Sequence, residues 1–205
     1  MLIDSEAAWG SVREQVTGES GGRWHEGAQR QMMGMSSQEW SRYMHEDLGV
    51  PMEPAEISAL VVDRLRDRYR EHVPLLPGAE EAVPALAKRW PLGLASSSNR
   101  PLIDLVLELT GLAPCFRVTV SSEEVGRGKP APDVYLEAAR RLDVDPASSA
   151  AVEDSTNGIR SAHAAGMKVV VVPHPAFPPD SDALALAEVV VDSLADLPAE
   201  IDRLA

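Results

Sequence analysis

The chain has 205 residues and a mass of 22.1 kDa, with 44% hydrophobic and 25% charged side chains. It is long enough to bury a sizeable core and too apolar to stay disordered, so one α/β domain with a modest appended module is expected. A formal charge of −13 repels a phosphate backbone, and no block of Lys or Arg offers a compensating stripe, which argues against nucleic-acid binding.

The single cysteine, Cys115, cannot form an internal disulfide. Within LAPCFRV it reads as a small buried hydrophobe and not as a nucleophile. The longest apolar runs, VVVV at 169–172 and EVVV at 188–191, are too short to span a bilayer. The N-terminus carries no basic segment leading into an apolar one. The expected protein is cytoplasmic, a monomer or weak dimer, with neither a membrane nor a nucleic acid as partner.

In chain order, residues 8 to 73 read as helical and strand-poor. A helix over 38–48 follows the capping residues Ser36 and Ser37, and one over 57–73 carries Leu60, Val61, Leu65 and Arg68 at helical spacing. The MMGM run at 32–35 reads as helix–helix packing before a turn. LLPGAEE at 75–81 marks a junction, with Pro77 and Gly78 as punctuation. Beyond it, apolar runs (92–95, 118–121, 150–152, 169–172 and 189–191) alternate with amphipathic segments (80–89, 101–109, 132–142 and 155–165), the signature of βαβ units around a parallel sheet. Pro84 fits its segment only if that helix starts late or bends. The expected division is an α/β core over residues 1–8 and 75–205 and a helical module over 9–74.

Ligands of a parallel open sheet bind outside the carboxyl ends of its strands, and three motifs fall there. LGLASSSN (92–99) ends a strand at Ser96 and offers hydroxyls and free backbone N–H groups at the start of a helix, with Ser98 or Asn99 as cap and Pro101 in the first turn. Taken alone, these residues read as ordinary caps. GRGKPAPD (126–133) holds Lys129, one of only three lysines, in a loop stiffened by Pro130 and Pro132. A compact charge on such a loop suits a phosphate or carboxylate, although an isolated loop lysine is ordinarily a solvated one. VEDSTNGIRSA (152–162) places Glu153 and Asp154 at a strand end before a helix capped by Ser155. Two adjacent carboxylates there call for compensation, and a divalent ion with oxygen ligands supplies it; the plain alternative is a solvent-facing acidic turn.

The order and context of these motifs resemble the haloacid dehalogenase superfamily, in particular the branch of β-phosphoglucomutase and related sugar-phosphate phosphatases. ASSSN matches the family's second motif, GKPAPD the third and VEDSTNGI the fourth, and the helical stretch resembles the family's inserted cap. The resemblance implies a Rossmann-like α/β core with a parallel sheet plus an α-helical cap. It implies a Mg²⁺-dependent phosphatase acting on a small phosphorylated metabolite such as a sugar phosphate. Ser96 would bind the phosphoryl oxygens, with Ser97, Ser98 and Asn99 nearby; Lys129 would neutralise charge, and Asp154 with Glu153 would bind Mg²⁺. Among polar cap residues, His25 and Arg30 are candidates for substrate contact, as is Gln29, whereas Trp24 reads as cap packing.

The chain departs from the family at the first motif. Residues 2–6, LIDSE, match the tail that follows the family's DxDG, so the nucleophilic aspartate, its acid/base partner and their strand are expected upstream of Met1. Asp4 belongs to that tail and is not assigned the role. On this reading the chain by itself is inactive, and its sheet neighbours are left with unpaired edges. A mutase, or a non-catalytic phosphate- or partner-binding relative, are the alternatives.

Overall fold

The structure is a computed structural model describing residues 2–204. Four helices come first: α1 (Glu6–Glu19), α2 (Ala28–Met32), α3 (Ser37–Glu46) and α4 (Pro54–Glu71). Their starts follow from local chemistry. Ser36 accepts the Glu39 N–H while the Glu39 carboxylate takes the Ser36 N–H at 2.7 Å, a reciprocal cap at the head of α3. Pro54 opens α4, where its missing N–H costs nothing. Val16, Met32, Trp40, Met44, Ile57 and Leu65 fuse the four helices into one apolar core, and Leu102 from the second half joins it.

The second half alternates as the hydrophobic pattern requires: α5 (Ala79–Ala87), β1 (Leu92–Ser96), α6 (Arg100–Thr110), β2 (Phe116–Ser121), α7 (Asp133–Leu142), β3 (Ala150–Glu153), α8 (Thr156–Ala164), β4 (Lys168–Val171), α9 (Ser181–Leu184), β5 (Val189–Val190) and α10 (Leu197–Leu204). Each expected strand and helix forms, with ends shifted by up to three residues. Pro84 lies inside α5, which neither starts late nor ends before it. The helix forfeits one backbone bond there and keeps its buried face of Ala79, Ala82, Val83 and Leu86.

All strand pairing is parallel, but the strands do not form one sheet. β1 pairs with β2, and β3, β4 and β5 form a second sheet in that order. β1 and β3 each have one neighbour among the described residues, so the edge of each that faces away from that neighbour is unpaired. Both strands line a single cavity of about 930 Å³. Protein interiors leave few voids larger than a water molecule, so this opening is out of scale for a packed core. The chain start lies beside its mouth: Ile3 bridges Leu75, and the Asp4 N–H donates to the Pro74 carbonyl at 2.8 Å. No described helix is long and apolar enough to cross a membrane.

Candidate functional site

At the carboxyl ends of β1 and β3, three loops converge on the cavity. Ser96, Ser97, Ser98, Lys129, Glu153 and Asp154 all line it. Ser96 closes β1, and its hydroxyl accepts the Ser98 N–H at 3.1 Å, a tight turn that brings successive backbone amides to the cavity mouth. Asn99 occupies the N-cap position of α6 without a side-chain cap bond. It donates instead to Glu123 Oε1 at 2.7 Å, while Glu123 Oε2 takes the Arg100 N–H at 2.9 Å. The cap of α6 is therefore supplied from the loop after β2. The same Glu123 oxygen accepts from Ser37 of α3 at 3.0 Å, tying the helical layer to this corner.

Behind the serine loop stands a charged support that the sequence did not announce. Arg100 donates to Thr119 Oγ1 at 2.7 Å and to the Thr119 carbonyl at 3.0 Å, and pairs with Glu124. Glu124 also takes the Ser121 N–H and pairs with Arg141. Burial alone would raise the Glu124 carboxyl, but the bonds from Arg100, Ser121 and Arg141 hold it down at about 2.

Lys129 is buried, with 9% exposure, and the Lys129–Pro130 bond is cis. Its ammonium pairs with Glu153 Oε1, reaches the Ala95 carbonyl of β1 at 3.4 Å, and lies 4.8 Å from the Tyr135 ring centre. One lysine thus spans the carboxyl ends of β1 and β3. Glu153, 4% exposed, is fully engaged. Its Oε1 accepts from Lys129 and from the Tyr135 hydroxyl at 2.6 Å. Its Oε2 accepts from the Asp154 N–H at 3.1 Å, the Ser155 N–H at 3.4 Å and the Ser155 hydroxyl at 3.2 Å. Burial works to raise the Glu153 carboxyl, yet the Lys129 charge and the bonds from Lys129 and Tyr135 prevail and hold it at about 2. Burial, with the neighbouring Glu153 charge, pushes the Tyr135 phenol well above its ordinary value.

Gly158 makes this arrangement possible. A Cβ added there would lie 2.0 Å from the Glu153 carboxyl carbon, so only glycine lets the first turn of α8 close over the buried acid. The pair expected to hold a cation is therefore divided in its work. Glu153 anchors Lys129, and Asp154 lines the cavity with it, next to the serines. Across from it, Glu6 at the start of α1 is raised by burial, opposed by Arg13, and raised further by the charge of Asp154. Two carboxylates within electrostatic reach beside a hydroxyl loop fit Mg²⁺, which ordinarily takes one or two carboxylates and leaves its other positions to water and phosphate oxygens.

The structure does not bring His25 or Arg30 to this place. His25 bonds the Tyr43 hydroxyl at 2.9 Å on the exposed face, and Arg30, its side chain 82% exposed, stands 4.0 Å from Asp180. Both fall outside the cavity wall: α2 buries Ala28 and Met32 and leaves Arg30 exposed, and His25 is exposed in the segment before it. Trp24 packs against the helical core. The Asp4 carboxylate lies 3.1 Å from His174 Nε2. Of the MMGM run, only Met32 is buried core; Met33, Gly34 and Met35 form a loop on the cavity wall, where Asn157 reaches the Met33 carbonyl at 3.5 Å. Glu6, Arg13, Tyr69 and Tyr135 also line the cavity and were missed. Tyr135 sits in the first turn of α7, where Pro132 and Asp133 fix the helix start, and that spacing from Lys129 was the available signal.

Residues 1–172 match the family model described as haloacid dehalogenase-like hydrolase. Over 147 residues the chain is 40% identical to hexitol phosphatase B of Escherichia coli (strain K12), which covers 71% of this chain and 65% of that protein. Over 198 residues it is 32% identical to the bifunctional riboflavin kinase/FMN phosphatase of Arabidopsis thaliana, covering 96% of this chain and 52% of that protein. The chain thus spans between about half and two thirds of the length of these relatives. Among solved structures, CbbY from Rhodobacter sphaeroides in complex with phosphate superposes with a TM-score of 0.83 at 25% identity, covering 96% of this chain and 92% of that one. β-Phosphoglucomutase from Clostridium difficile gives 0.84 at 21% identity, with 100% and 92% covered. The shared fold is the Rossmann-like core with parallel strands and a helical layer.

Proposed function

Because the chain belongs to the haloacid dehalogenase-like hydrolase family, we propose that its cavity is the site of a Mg²⁺-assisted phosphatase acting on a small phosphorylated metabolite of the sugar-phosphate class. The observation that carries this reading is Lys129, which joins the Ala95 carbonyl of β1 to Glu153 of β3 beside the Ser96 turn. A buried cation with one carboxylate partner and a ring of hydroxyls and amides is suited to a phosphoryl group, whose transfer is governed by positioning and charge neutralisation.

The geometry supports the following roles. Ser96 and the amides of its turn take phosphoryl oxygens, and Lys129, held by Glu153 and Tyr135, offsets the charge between nucleophile and phosphorus. Asp154 would hold Mg²⁺, which when bound spreads charge on the phosphate oxygens. One more parallel strand between β1 and β3 would pair the edges of both that are unpaired among the described residues and border the cavity. We assign the nucleophile to an aspartate at the carboxyl end of such a strand, where it would face Lys129. Its oxygen attacks phosphorus as the ester oxygen leaves with a proton from a second aspartate two residues further on, and water, giving a proton back to that aspartate, then cleaves the acyl phosphate to free the nucleophile and inorganic phosphate. The helical layer, α1 to α4, serves as the cap, and its Met33–Met35 loop closes the cavity against Asn157.

The test is to join a short apolar strand ending in Asp-Leu-Asp-Gly to residue 2 and to follow both thermal stability and p-nitrophenyl phosphate hydrolysis with Mg²⁺. Gain of both is expected. A stabilised but inactive protein would overturn the phosphatase reading, and no stabilisation would overturn the strand slot.

A further inference from the structure

The serine turn of the phosphate corner is held from behind by residues that do not line the cavity. At the end of β2, the run SSEE at 121–124 lies against it. The Ser121 hydroxyl donates to the Ser98 carbonyl at 2.7 Å, and the Ser122 hydroxyl to the Ser97 carbonyl at 3.3 Å. Both serines are buried. Glu123 continues the row by taking the Asn99 side chain and the Arg100 N–H. The peptide bonds of the turn are trans, and in a trans peptide the carbonyl and the next N–H point in opposite directions. Fixing the Ser97 and Ser98 carbonyls to the rear therefore aims the Ser98 and Asn99 N–H groups away from 121–124.

Glu123 is the member of this row that also meets the helical layer. It is an exposed residue, yet Asn99 and Ser37, which both donate to its Oε1, are buried. Ser37 is the first residue of α3. A second close approach lies alongside. At Gly128, next to Lys129, an added Cβ would come within 3.2 Å of Ser36 Cβ and 3.4 Å of Glu39 Oε2, so the head of α3 rests on the lysine loop as well. One exposed carboxylate bond is ordinarily worth little. This carboxylate, however, collects donors from α3, from the serine turn and from the first residue of α6.

We propose that Glu123 is a positioning residue for the phosphate corner: it ties the Ser96–Asn99 turn to the head of α3, so that the seating of the helical layer sets how well the turn holds a phosphoryl group. It acts through the turn and touches no phosphate itself. The role rests on the reading of the Ser96–Lys129 corner as the phosphate site, and the two can be tested apart. Neither Ser37 nor Glu123 lines the cavity, so an effect of either on a bound anion must pass through the turn. The full chain and its Ser37→Ala, Glu123→Ala, doubly substituted and Ser41→Ala variants are titrated calorimetrically with inorganic phosphate, and each is melted. Ser41 is the control, a buried serine of the same helix whose hydroxyl bonds the Gln38 carbonyl at 3.5 Å.

Ser37→Ala is expected to weaken phosphate binding by roughly twofold to tenfold, the usual worth of one hydrogen bond. Glu123→Ala should weaken it at least as much. The double variant should lose no more than Glu123→Ala, because Ser37 acts through that carboxylate. Ser41→Ala should bind phosphate as the parent does. Parent-like affinity in Ser37→Ala would overturn the proposal and leave the bond a packing tie, visible in the melting temperature alone. Losses that add in the double variant, or an equal loss in Ser41→Ala, would overturn it too, with the phosphate corner left standing. If Glu123→Ala does not fold, the comparison of Ser37→Ala with Ser41→Ala is the test. Absence of phosphate binding by the parent would overturn the phosphate reading and the role of Glu123 with it.

Discussion

Replacing Lys129 with Met should unfold the site from its centre, and the size of the effect can be worked from the Glu153 environment. Glu153 is buried, and its carboxyl is held at about 2 against an ordinary 4.5. At about 1.36 kcal/mol per pH unit, that difference corresponds to roughly 3 kcal/mol favouring the charged, folded form. Breaking a buried pair by removing one partner typically costs about 3–5 kcal/mol, so the two figures agree. Glu153 would keep Tyr135 and the Asp154 and Ser155 donors, which places the loss toward the lower end. For a chain of this length, 3 kcal/mol lowers the melting temperature by about 6–12 °C.

Because the folded carboxyl is depressed, this stabilisation is present above pH 4.5 and is lost as the pH falls from 4.5 toward 2. Urea unfolding of the parent, Lys129→Met, Glu153→Gln and the double variant at pH 7 and again near pH 3 would measure it. At pH 7 the double variant should be milder than the sum of the singles, and the gap between parent and Lys129→Met should shrink toward pH 3. A loss below about 1 kcal/mol at pH 7, or additive singles, would refute the argument that the pair acts as a unit.

Gly158→Ala should be more damaging than either change in that pair, because the new methyl would sit 2.0 Å from the Glu153 carboxyl; an expressed variant with an unchanged melting temperature would contradict this. If Mg²⁺ binds at Asp154, tenfold excess over its dissociation constant should stabilise the parent by about 1.4 kcal/mol, and Asp154→Asn should abolish that shift in a thermal scan. Arg100→Met should lower stability through loss of its bonds to Thr119 and Glu124, with an effect that fades as pH drops through the range from 4.5 to about 2 where Glu124 takes up its proton. Ser96→Ala should remove inorganic-phosphate stabilisation while leaving the fold intact, as its hydroxyl makes one backbone bond; retained phosphate binding would exclude Ser96 from the site.

Much of this molecule follows from the linear pattern alone. Alternating apolar runs and amphipathic segments locate the strands and helices of the second half, because a buried parallel strand is apolar on both faces and its helices are apolar on one. The strand ends then mark where Ser96, Lys129 and Asp154 meet. What the chain order could not divide was the labour inside that meeting. Glu153 and Asp154 are adjacent in sequence and both line the cavity, but Glu153 is committed to Lys129, Tyr135 and Ser155.

The helical layer was harder still to read. His25 and Arg30 look available because they are polar, but Arg30 faces solvent on the helix that buries Ala28 and Met32, and His25 is exposed in the segment before it. Arg13 looks like a surface residue of an amphipathic helix until Trp40, from another helix, closes over it. The break between β1 and β3, likewise, is a matter of which edges meet. Strand propensity is local and legible, whereas pairing, cavity and buried charge depend on residues brought together from distant parts of the chain, and only the tertiary structure supplies those neighbours.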